Sequence, residues 1–236
     1  MPRARLARLV TLIAALLGAA ALARADVGGS VSLQTDARER GMSYSAEKPS
    51  AQLGLAWDGD GGWYAGAQLA HARFVQRHGA RLQAYGGRVV ELVPGLDGEA
   101  GVIAQAFENV SHYDFQEVYV GLLGERWSLR LYHSPNYYGS GQRSVYGEFN
   151  LRWPVAKGVG LMGHVGVLRG YGATAAAVYA AAHGPTRVDL RAGASWLLGE
   201  SCELQLAWVS ASRGGPYTWS DAARRRSVLL GATATF

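Results

Sequence analysis

The sequence contains one cysteine, few prolines and no long apolar run beyond its first 25 residues. The single cysteine, Cys202, excludes an internal disulfide and any metal site built from several cysteines. Without a run of about 18 apolar residues after that segment, no helix is expected to span a membrane. Proline contributes 7 residues, whereas glycine contributes 32, with 7 Trp, 12 Tyr and 5 Phe. Such a chain is too aromatic for a disordered linker and too rich in glycine for a helical bundle.

Net positive charge is also scarce once the first 25 residues are set aside. Lys and Arg total 23 against 18 Asp and Glu, but Arg3, Arg5, Arg8 and Arg24 all lie in that segment, which has no acidic residue. The rest of the chain is therefore nearly neutral. A nucleic-acid-binding domain needs a standing cationic surface, so we expect no nucleic-acid partner.

Residues 1–25 have the layout of a secretory signal peptide. A short cationic start precedes an apolar run from 9 to 23, and small residues stand at 23 and 25, the positions that a signal peptidase reads. The alternative is a membrane anchor, but a run of about 15 residues is shorter than the roughly 20 that a spanning helix needs. We predict cleavage after Ala25, which leaves residues 26–236 as one exported domain.

Beyond residue 25, apolar and polar residues alternate with a period of two, which indicates strands with one apolar and one polar face. Leu204, Leu206 and Trp208, for example, alternate with Glu203 and Gln205. The predicted strands lie at residues 27–36, 49–57, 63–75, 88–93, 100–107, 115–123, 127–133, 145–153, 159–169, 187–198, 202–210 and 226–236.

The predicted connections alternate between long and short. The short ones, such as 58–62, 124–126 and 199–201, have turn residues, and one of the long ones is expected at 76–87. Outer-membrane barrels combine an even number of strands with short periplasmic turns and long external loops. The fold class predicted is therefore all-β, an up-and-down antiparallel transmembrane β-barrel of about twelve strands.

Aromatic residues are placed as such a barrel requires. Five tryptophans flank the short turns, where one interfacial girdle would lie: Trp57, Trp63, Trp127, Trp153 and Trp196. Tyr44, Tyr137 and Tyr138 are in the long loops, and we expect them near the opposite interface. A soluble β-sandwich or barrel would also alternate, but its outer face would carry charges, whereas the apolar faces here carry almost none.

The sequence also predicts where the barrel resides and what surrounds it. Phe236 lies on the apolar face of the final predicted strand, and a C-terminal aromatic strand is a common signal for the outer-membrane assembly machinery. We therefore expect Phe236 to be that assembly signal. The predicted location is the outer membrane of a Gram-negative bacterium, with outer-membrane lipids and lipopolysaccharide as partners.

The polar faces of the strands would line the lumen. Charged residues on neighbouring strands are expected to pair: Glu117 with Arg130, Arg130 with Glu148, and Arg191 with Glu203. The candidate lumen-lining residues are Asp36, Gln52, Gln68, Glu117, Tyr119, Arg130, Tyr132, Glu148, Arg152, Asp189, Arg191, Glu203 and Gln205. Twelve strands lie between about eight, where side chains fill the bore, and about sixteen, which leave an open channel. Two interpretations stay open, a salt-bridge ladder that fills the barrel and a mixed-sign constriction that selects solutes.

Three ordered stretches are similar to one known family. Residues 28–57 contain R-x-x-G-x-S, E-K-P and Q-x-G in the order of that family's first hairpin. GGWYAGAQLA at 61–70 is similar to its second hairpin, and YHSPNYYGSG at 132–141 resembles its S-P-D-Y-F-G loop motif. In these stretches the chain resembles the TorF-type porin family of proteobacterial outer membranes, although Ala37 and Glu39 stand where that family tends to have aromatics. The resemblance implies an outer-membrane barrel assigned as a porin and implies no particular substrate.

Enzymatic and metal chemistry are not indicated. The six histidines are scattered without metal-ligand spacing, so we expect no metal and no cofactor. His133 and Ser134 invite comparison with outer-membrane lipases, but adjacent strand residues point to opposite faces. We therefore predict no catalytic residues and a narrow passive transport channel, a porin for small polar solutes. The alternatives are a structural or adhesive surface barrel with a side-chain-filled lumen and, third, a barrel hydrolase.

Overall fold

Twelve antiparallel strands form a closed barrel in this computed structural model. The structure describes residues 26–74, 77–172, 183–216 and 224–236, so the predicted signal peptide lies outside the described residues. The predicted fold class, all-β with twelve antiparallel barrel strands, is confirmed. In the described ranges, no helix is both long enough and apolar enough to cross a membrane.

The described residues form fourteen strands, and all but two of these belong to the barrel. The strands are β1 (Asp26–Gln34), β2 (Arg38–Glu39), β3 (Met42–Ser43), β4 (Ser50–Asp58), β5 (Trp63–Phe74), β6 (Arg77–Val93), β7 (Leu96–Phe107), β8 (Phe115–Gly124), β9 (Trp127–Ser134), β10 (Arg143–Ala156), β11 (Val159–Tyr171), β12 (Thr186–Leu198), β13 (Cys202–Ala211) and β14 (Arg226–Thr235). Consecutive barrel strands pair, β1 pairs with both β4 and β14, and β2 pairs only with β3.

The two faces of the wall differ as a period of two dictates. On β4 the outward side chains of Leu53 and Leu55 are 47% and 38% exposed. Gln52 and Gly54, which alternate with them, point inward. The same alternation leaves valines and leucines exposed on β1, β8, β9, β11 and β14. A continuous apolar exterior with a polar interior is the arrangement found in membrane barrels.

The barrel has two different ends. The short-turn end contains the connections at 59–62, 94–95, 125–126, 157–158 and 199–201. The opposite end, here called the loop end, contains the longer connections at 35–49, 108–114, 135–142, 172–185 and 212–225. Parts of the last two lie outside the described residues.

One predicted long connection is wrong. Residues 77–87, expected in a loop at 76–87, form the first part of β6, which pairs with β5 from Phe74 and Arg77 onward. Residues 75 and 76 lie outside the described part of the chain. The outward positions of this segment include Ala80, Ala84 and Gly86, which are small, so the apolar alternation that indicates a strand is weak there.

The barrel closes between its first and last strands. β1 and β14 pair from Ser30 opposite Thr235 to Gln34 opposite Gly231. Beyond that ladder, the Gly29 N–H donates to the Phe236 carbonyl at 2.8 Å, and the Phe236 N–H donates to the Gly29 carbonyl at 3.0 Å. The final aromatic residue is therefore part of the closure.

Candidate functional site

The β2–β3 hairpin lies inside the barrel, where Arg40 at its turn binds the wall. Two guanidinium nitrogens of Arg40 donate to the two carboxylate oxygens of Glu117 on β8, each at 2.7 Å. The side chains of Arg40 and Glu117 are only 5% and 1% exposed. The Arg40 guanidinium also lies 4.4 Å from the ring centroid of Tyr146 on β10. A buried bidentate pair of this kind fixes both position and orientation of the hairpin.

A second ion pair joins the same hairpin to β6. Arg81 donates to Glu39 and, at 2.9 Å, to Gln105 on β7. Burial alone would raise the pKa of Glu39, but the guanidiniums of Arg81 and Arg40 outweigh it and hold that pKa below its ordinary value. Burial likewise opposes the charge on Arg40, yet the Glu117 carboxylate raises the pKa of Arg40 well above its ordinary value. Both hairpin residues are therefore charged at neutral pH.

Aromatic residues form a layer at the loop end of the interior. Phe115 and Tyr138 have ring centroids 4.4 Å apart, and Tyr44 stacks on Phe107 at 6.2 Å. Burial raises the pKa of Tyr137 to about 12. Tyr44, Tyr137 and Tyr138 are 2%, 0% and 1% exposed, so their expected place at the membrane interface is wrong. The loops at 35–49 and 135–142 fold inward over the barrel, because their aromatic side chains, such as Tyr44 and Tyr138, pack against each other.

Three polar networks cover one side of the wall, and the first is centred on Glu99. The Arg130 Nε donates to one Glu99 oxygen at 2.6 Å, and the Tyr64 hydroxyl donates to the other at 2.6 Å. The Tyr119 hydroxyl bonds in turn to that of Tyr64. Arg130 also lies 4.0 Å from Glu148, as predicted from their opposed positions on β9 and β10.

The partner predicted for Glu117 is wrong. Glu117 binds Arg40, a loop residue, rather than Arg130, because Arg130 lies opposite Gly121 on the neighbouring strand, four residues along from Glu117. Tyr132, a predicted lumen residue, donates to Glu148 at 3.0 Å. Opposite charges on adjacent strands meet only when the register brings them together.

The second network is a chain of side chains from β10 to β12. His164 Nε2 lies 2.9 Å from an oxygen of Asp189, and His164 Nδ1 lies 2.7 Å from the Asn150 side-chain oxygen. The Tyr146 hydroxyl lies 3.1 Å from His164 Nε2. Both nitrogens of the imidazole thus face oxygen atoms of neighbouring side chains.

The third network connects Arg191 to Arg152 through two other side chains. Arg191 Nη2 donates to Gln205 at 3.1 Å, Gln205 donates to Glu203 at 3.2 Å, and Arg152 forms an ion pair with Glu203. The expected direct pair between Arg191 and Glu203 is therefore wrong. Arg191 lies opposite Val209 and Glu203 lies opposite Leu197, so the two are too far apart along β12 and β13.

The remaining candidates separate into two positions. Gln52 points inward near the loop end of β4, and Gln68 points inward near the middle of β5. Asp36 instead accepts hydrogen bonds from Arg38 and Ser43, both at 2.5 Å, and fixes the base of the hairpin. Asp36 therefore stabilises the hairpin rather than contributing a side chain to the barrel wall.

Three cavities that the described residues line lie inside the barrel. The central cavity, about 290 Å³, lies between the hairpin residues Glu39 and Arg40 and the wall. The arginine-side cavity, about 420 Å³, opens at the short-turn end and is lined by Arg126, Arg152 and Arg191. The glycine-side cavity, about 630 Å³, opens at the same end. It is lined by Gly28, Gly29, Ser30, Gly54, Gln68 and Tyr85, among others.

The cavities meet at particular side chains. Asn150, His164 and Arg191 line both the central and the arginine-side cavity. Gln83 lines both the central and the glycine-side cavity. Each of the two cavities at the short-turn end therefore adjoins the central cavity beside the hairpin.

Several functional residues were missed by the sequence analysis. Arg40 and Glu39 lie in a loop, where no strand period indicates direction, and Arg81 lies in the segment predicted as a loop. Glu99 precedes the predicted start of its strand at residue 100, although β7 begins at Leu96. Extending the predicted strand from residue 100 back to Leu96, with the same alternation, would have placed Glu99 on the inward face.

The geometry offers little for catalysis or metal binding. Within the described residues, no group of three or more His, Cys, Asp or Glu side chains could hold a metal ion. His133 lies on the outward face, 3.0 Å from the Tyr171 hydroxyl, whereas the neighbouring Ser134 is fully buried on the inward face. These two side chains therefore do not form the dyad that a hydrolase would need.

Comparisons with known proteins agree with this architecture. The model of the Gcw_chp family, described as bacterial proteins of unknown function, matches residues 19–236. No curated protein matches the sequence significantly. The solved structure of the NanC porin is similar with a TM-score of 0.61 at 10% identity, covering 89% of this chain and 99% of that chain. The KdgM porin has a TM-score of 0.54 at 9% identity, with 89% and 98% covered. At such identities the likeness shows the fold, that of outer-membrane porin barrels.

Proposed function

We propose that this chain, which belongs to the Gcw_chp family of bacterial proteins of unknown function, is a narrow passive channel for small polar solutes. The observation that carries the proposal is the set of three adjoining cavities inside a closed barrel. Each is many times the roughly 30 Å³ that one water molecule occupies in the liquid. A barrel whose side chains filled its bore would leave no such volumes.

The hairpin would set the width of this channel. Arg40 and Glu39 project from it and are held on β8 and β6 by Glu117 and Arg81. A solute would have to pass the space between these ion pairs and the opposite wall. Because the charges around it are of both signs, we propose that the constriction selects small polar solutes rather than apolar ones.

The outward face supports a location in a bacterial outer membrane. Apolar side chains cover the middle of the wall, and Trp63 and Trp153 are about half exposed near the short-turn end. Near the loop end, Arg143, Arg169 and Tyr171 are exposed and point outward. Basic side chains there would face the phosphates of lipopolysaccharide, so we propose that the loop end lies outside the cell and the short-turn end in the periplasm.

Other sequence predictions enter the same proposal. Export by the signal peptide and assembly through Phe236 would deliver the barrel to that membrane. The resemblance to TorF-type porins agrees with this function. One of the similar structures is a KdgM porin in complex with disordered oligogalacturonate, a polar chain molecule, which also supports passage of polar solutes.

A structural barrel is the second candidate, and one observation favours it. The aromatic layer of Phe115, Tyr137 and Tyr138 lies across the loop end, where the first and middle loops meet. If that layer stays closed, the cavities are reached from one end only. The barrel would then act through its loops rather than its lumen.

Planar-bilayer recording of the refolded chain separates these two candidates. The proposal predicts steps of small, stable conductance, and a larger conductance when residues 37–46 are replaced by a Gly-Ser linker of equal length. The matched control replaces the short turn at 157–158 by Ser-Gly, which keeps Gly158 at its positive φ, and should leave conductance unchanged. Absence of current from both the natural chain and the linker variant would overturn the channel and leave the structural barrel.

A further inference from the structure

One side chain on the wall of the central cavity carries a charge that nothing around it neutralises. Arg38 pairs with Asp36, Arg40 pairs with Glu117, and His164 lies against Asp189. In the described part of the chain, Arg191 is the one basic residue on that wall that has no carboxylate partner. Its Nη2 reaches only the neutral Gln205, and its Nε is buried without any hydrogen-bond partner.

The carboxylates on the same wall are already occupied. Glu39 binds Arg81, and Asp189 lies 2.9 Å from His164. Glu148 accepts a hydrogen bond from Tyr132 and lies 4.0 Å from Arg130. Each of these carboxylates therefore already has a partner, so none of them neutralises Arg191.

The position of Arg191 gives that charge a consequence. It lines both the central and the arginine-side cavity, so a solute moving between them passes its guanidinium. None of the described residues that line the glycine-side cavity has a charged side chain. The two cavities at the short-turn end therefore differ, and only the arginine-side cavity is lined by this unpaired cation.

We propose that Arg191 is a binding site for small carboxylate anions and makes the channel prefer anions. A guanidinium presents a planar fork of N–H donors that matches the two oxygens of a carboxylate. This inference rests on the proposed channel function. It adds the charge of the preferred solute and the residue that recognises it.

The test measures reversal potentials of the refolded chain in a planar bilayer under a potassium chloride gradient. Arg191→Gln should lower the anion-to-cation permeability ratio about thirtyfold, because one unit charge about 4 Å from a passing ion in water favours an anion about fivefold to sixfold and disfavours a cation by the same factor. Arg191→Lys keeps the charge and should keep most of the preference. Acetate added at millimolar concentration should reduce the chloride current of the natural chain and of the lysine variant, but not that of Arg191→Gln.

Arg143→Gln is the matched control, because it removes the same charge from the outward face. It should leave the permeability ratio unchanged. Heat-modifiable migration of each variant on gels shows that the barrel has folded. Current in Arg191→Gln with an unchanged ratio and unchanged acetate block overturns the anion site and leaves the channel standing. Absence of current in the natural chain overturns the channel itself.

Discussion

The two sides of the barrel wall differ in chemistry although they share one fold. From β7 to β13 the inward face carries Glu99, Glu117, Arg130, Asp189 and Arg191, arranged in bonded networks. From β14 through β1 to β5 the inward positions are mainly glycine, serine, threonine and glutamine, and the glycine-side cavity lies against them. The first side is covered with ion pairs, whereas the second leaves space.

This difference shows how a small barrel can hold a loop and still contain water. The hairpin takes its ion-pair partners from β6 and β8, at the edge of the charged side, because a buried charge needs a fixed partner. Small uncharged residues on the neutral side need no ion-pair partner. Because their side chains are short, they leave the space that forms the glycine-side cavity. If this account is right, substitutions on the charged side should change stability, while those on the neutral side should change only permeation.

The largest effect is expected at the hairpin. Arg40→Ala leaves Glu117 buried without its partner and should lower the free energy of unfolding by about 3–5 kcal/mol, the usual cost of breaking a buried pair. The urea midpoint of the refolded barrel in liposomes measures the loss. Adding Glu117→Gln to the same chain removes the stranded charge and should recover much of the stability. An unchanged midpoint for Arg40→Ala alone would show that the hairpin is not held by this pair.

A smaller loss is expected at Arg130. Its side chain is 29% exposed, and after Arg130→Ala the Glu99 carboxylate still accepts a hydrogen bond from Tyr64. We expect a loss of about 1–3 kcal/mol, together with a shift of bilayer selectivity toward cations, because Glu99 and Glu148 lose a cation. Arg143→Ala, on the outward face of β10, is the control. Selectivity that stays constant while the midpoint falls would make Arg130 a purely structural residue.

On the neutral side, Gln68→Glu should barely affect stability. Gln68 lines the glycine-side cavity, so a new carboxylate there would remain hydrated, and we expect a change of about 0.5 kcal/mol or less. Permeation should nonetheless shift toward cations in reversal-potential measurements. Gln68→Asn supplies the uncharged control. A fall in the urea midpoint as large as that of Arg130→Ala would contradict the distinction between the two sides.

A labelling experiment tests which end of the barrel faces outward, and it depends on no change in stability. Cys202 lies at the short-turn end, at the start of β13, and is a free cysteine. We expect it to be protected from a membrane-impermeant thiol reagent on intact cells, while Ser111→Cys in a Cys202→Ser chain reacts quickly. Equal labelling rates at the two positions would mean that the short-turn end faces outward.

The sequence determines the strands well where apolar and polar residues alternate strongly. The segments predicted at 187–198 and 202–210 match β12 and β13 to within one residue at each end. The first half of β6 was missed because its outward positions include small residues, which blur the period of two. Where the outward residues are small, hydrophobic alternation alone does not identify a strand.

The same limit applies to the candidate site. Strand phase identified inward residues such as Arg130 and Asp189, since each strand residue has only two possible directions. It could not identify Arg40, whose contact with Glu117 joins residues 77 positions apart in the chain. Which loop folds into the lumen is decided by such distant partners, and a single sequence does not display them.

The closure between β1 and β14 has a consequence for how the protein can be made. A hydrogen bond such as that between Ser32 and Thr233 joins residues 201 positions apart, so the cylinder cannot be completed until the final strand is present. Every shorter intermediate has two open sheet edges, each a row of unpaired backbone donors and acceptors on which another chain can add. A nascent chain in water would therefore be prone to aggregate throughout its synthesis. If the chain is exported as proposed, a soluble escort in the periplasm would need to cover these edges, and we expect it to release the chain only when the first and last strands can pair.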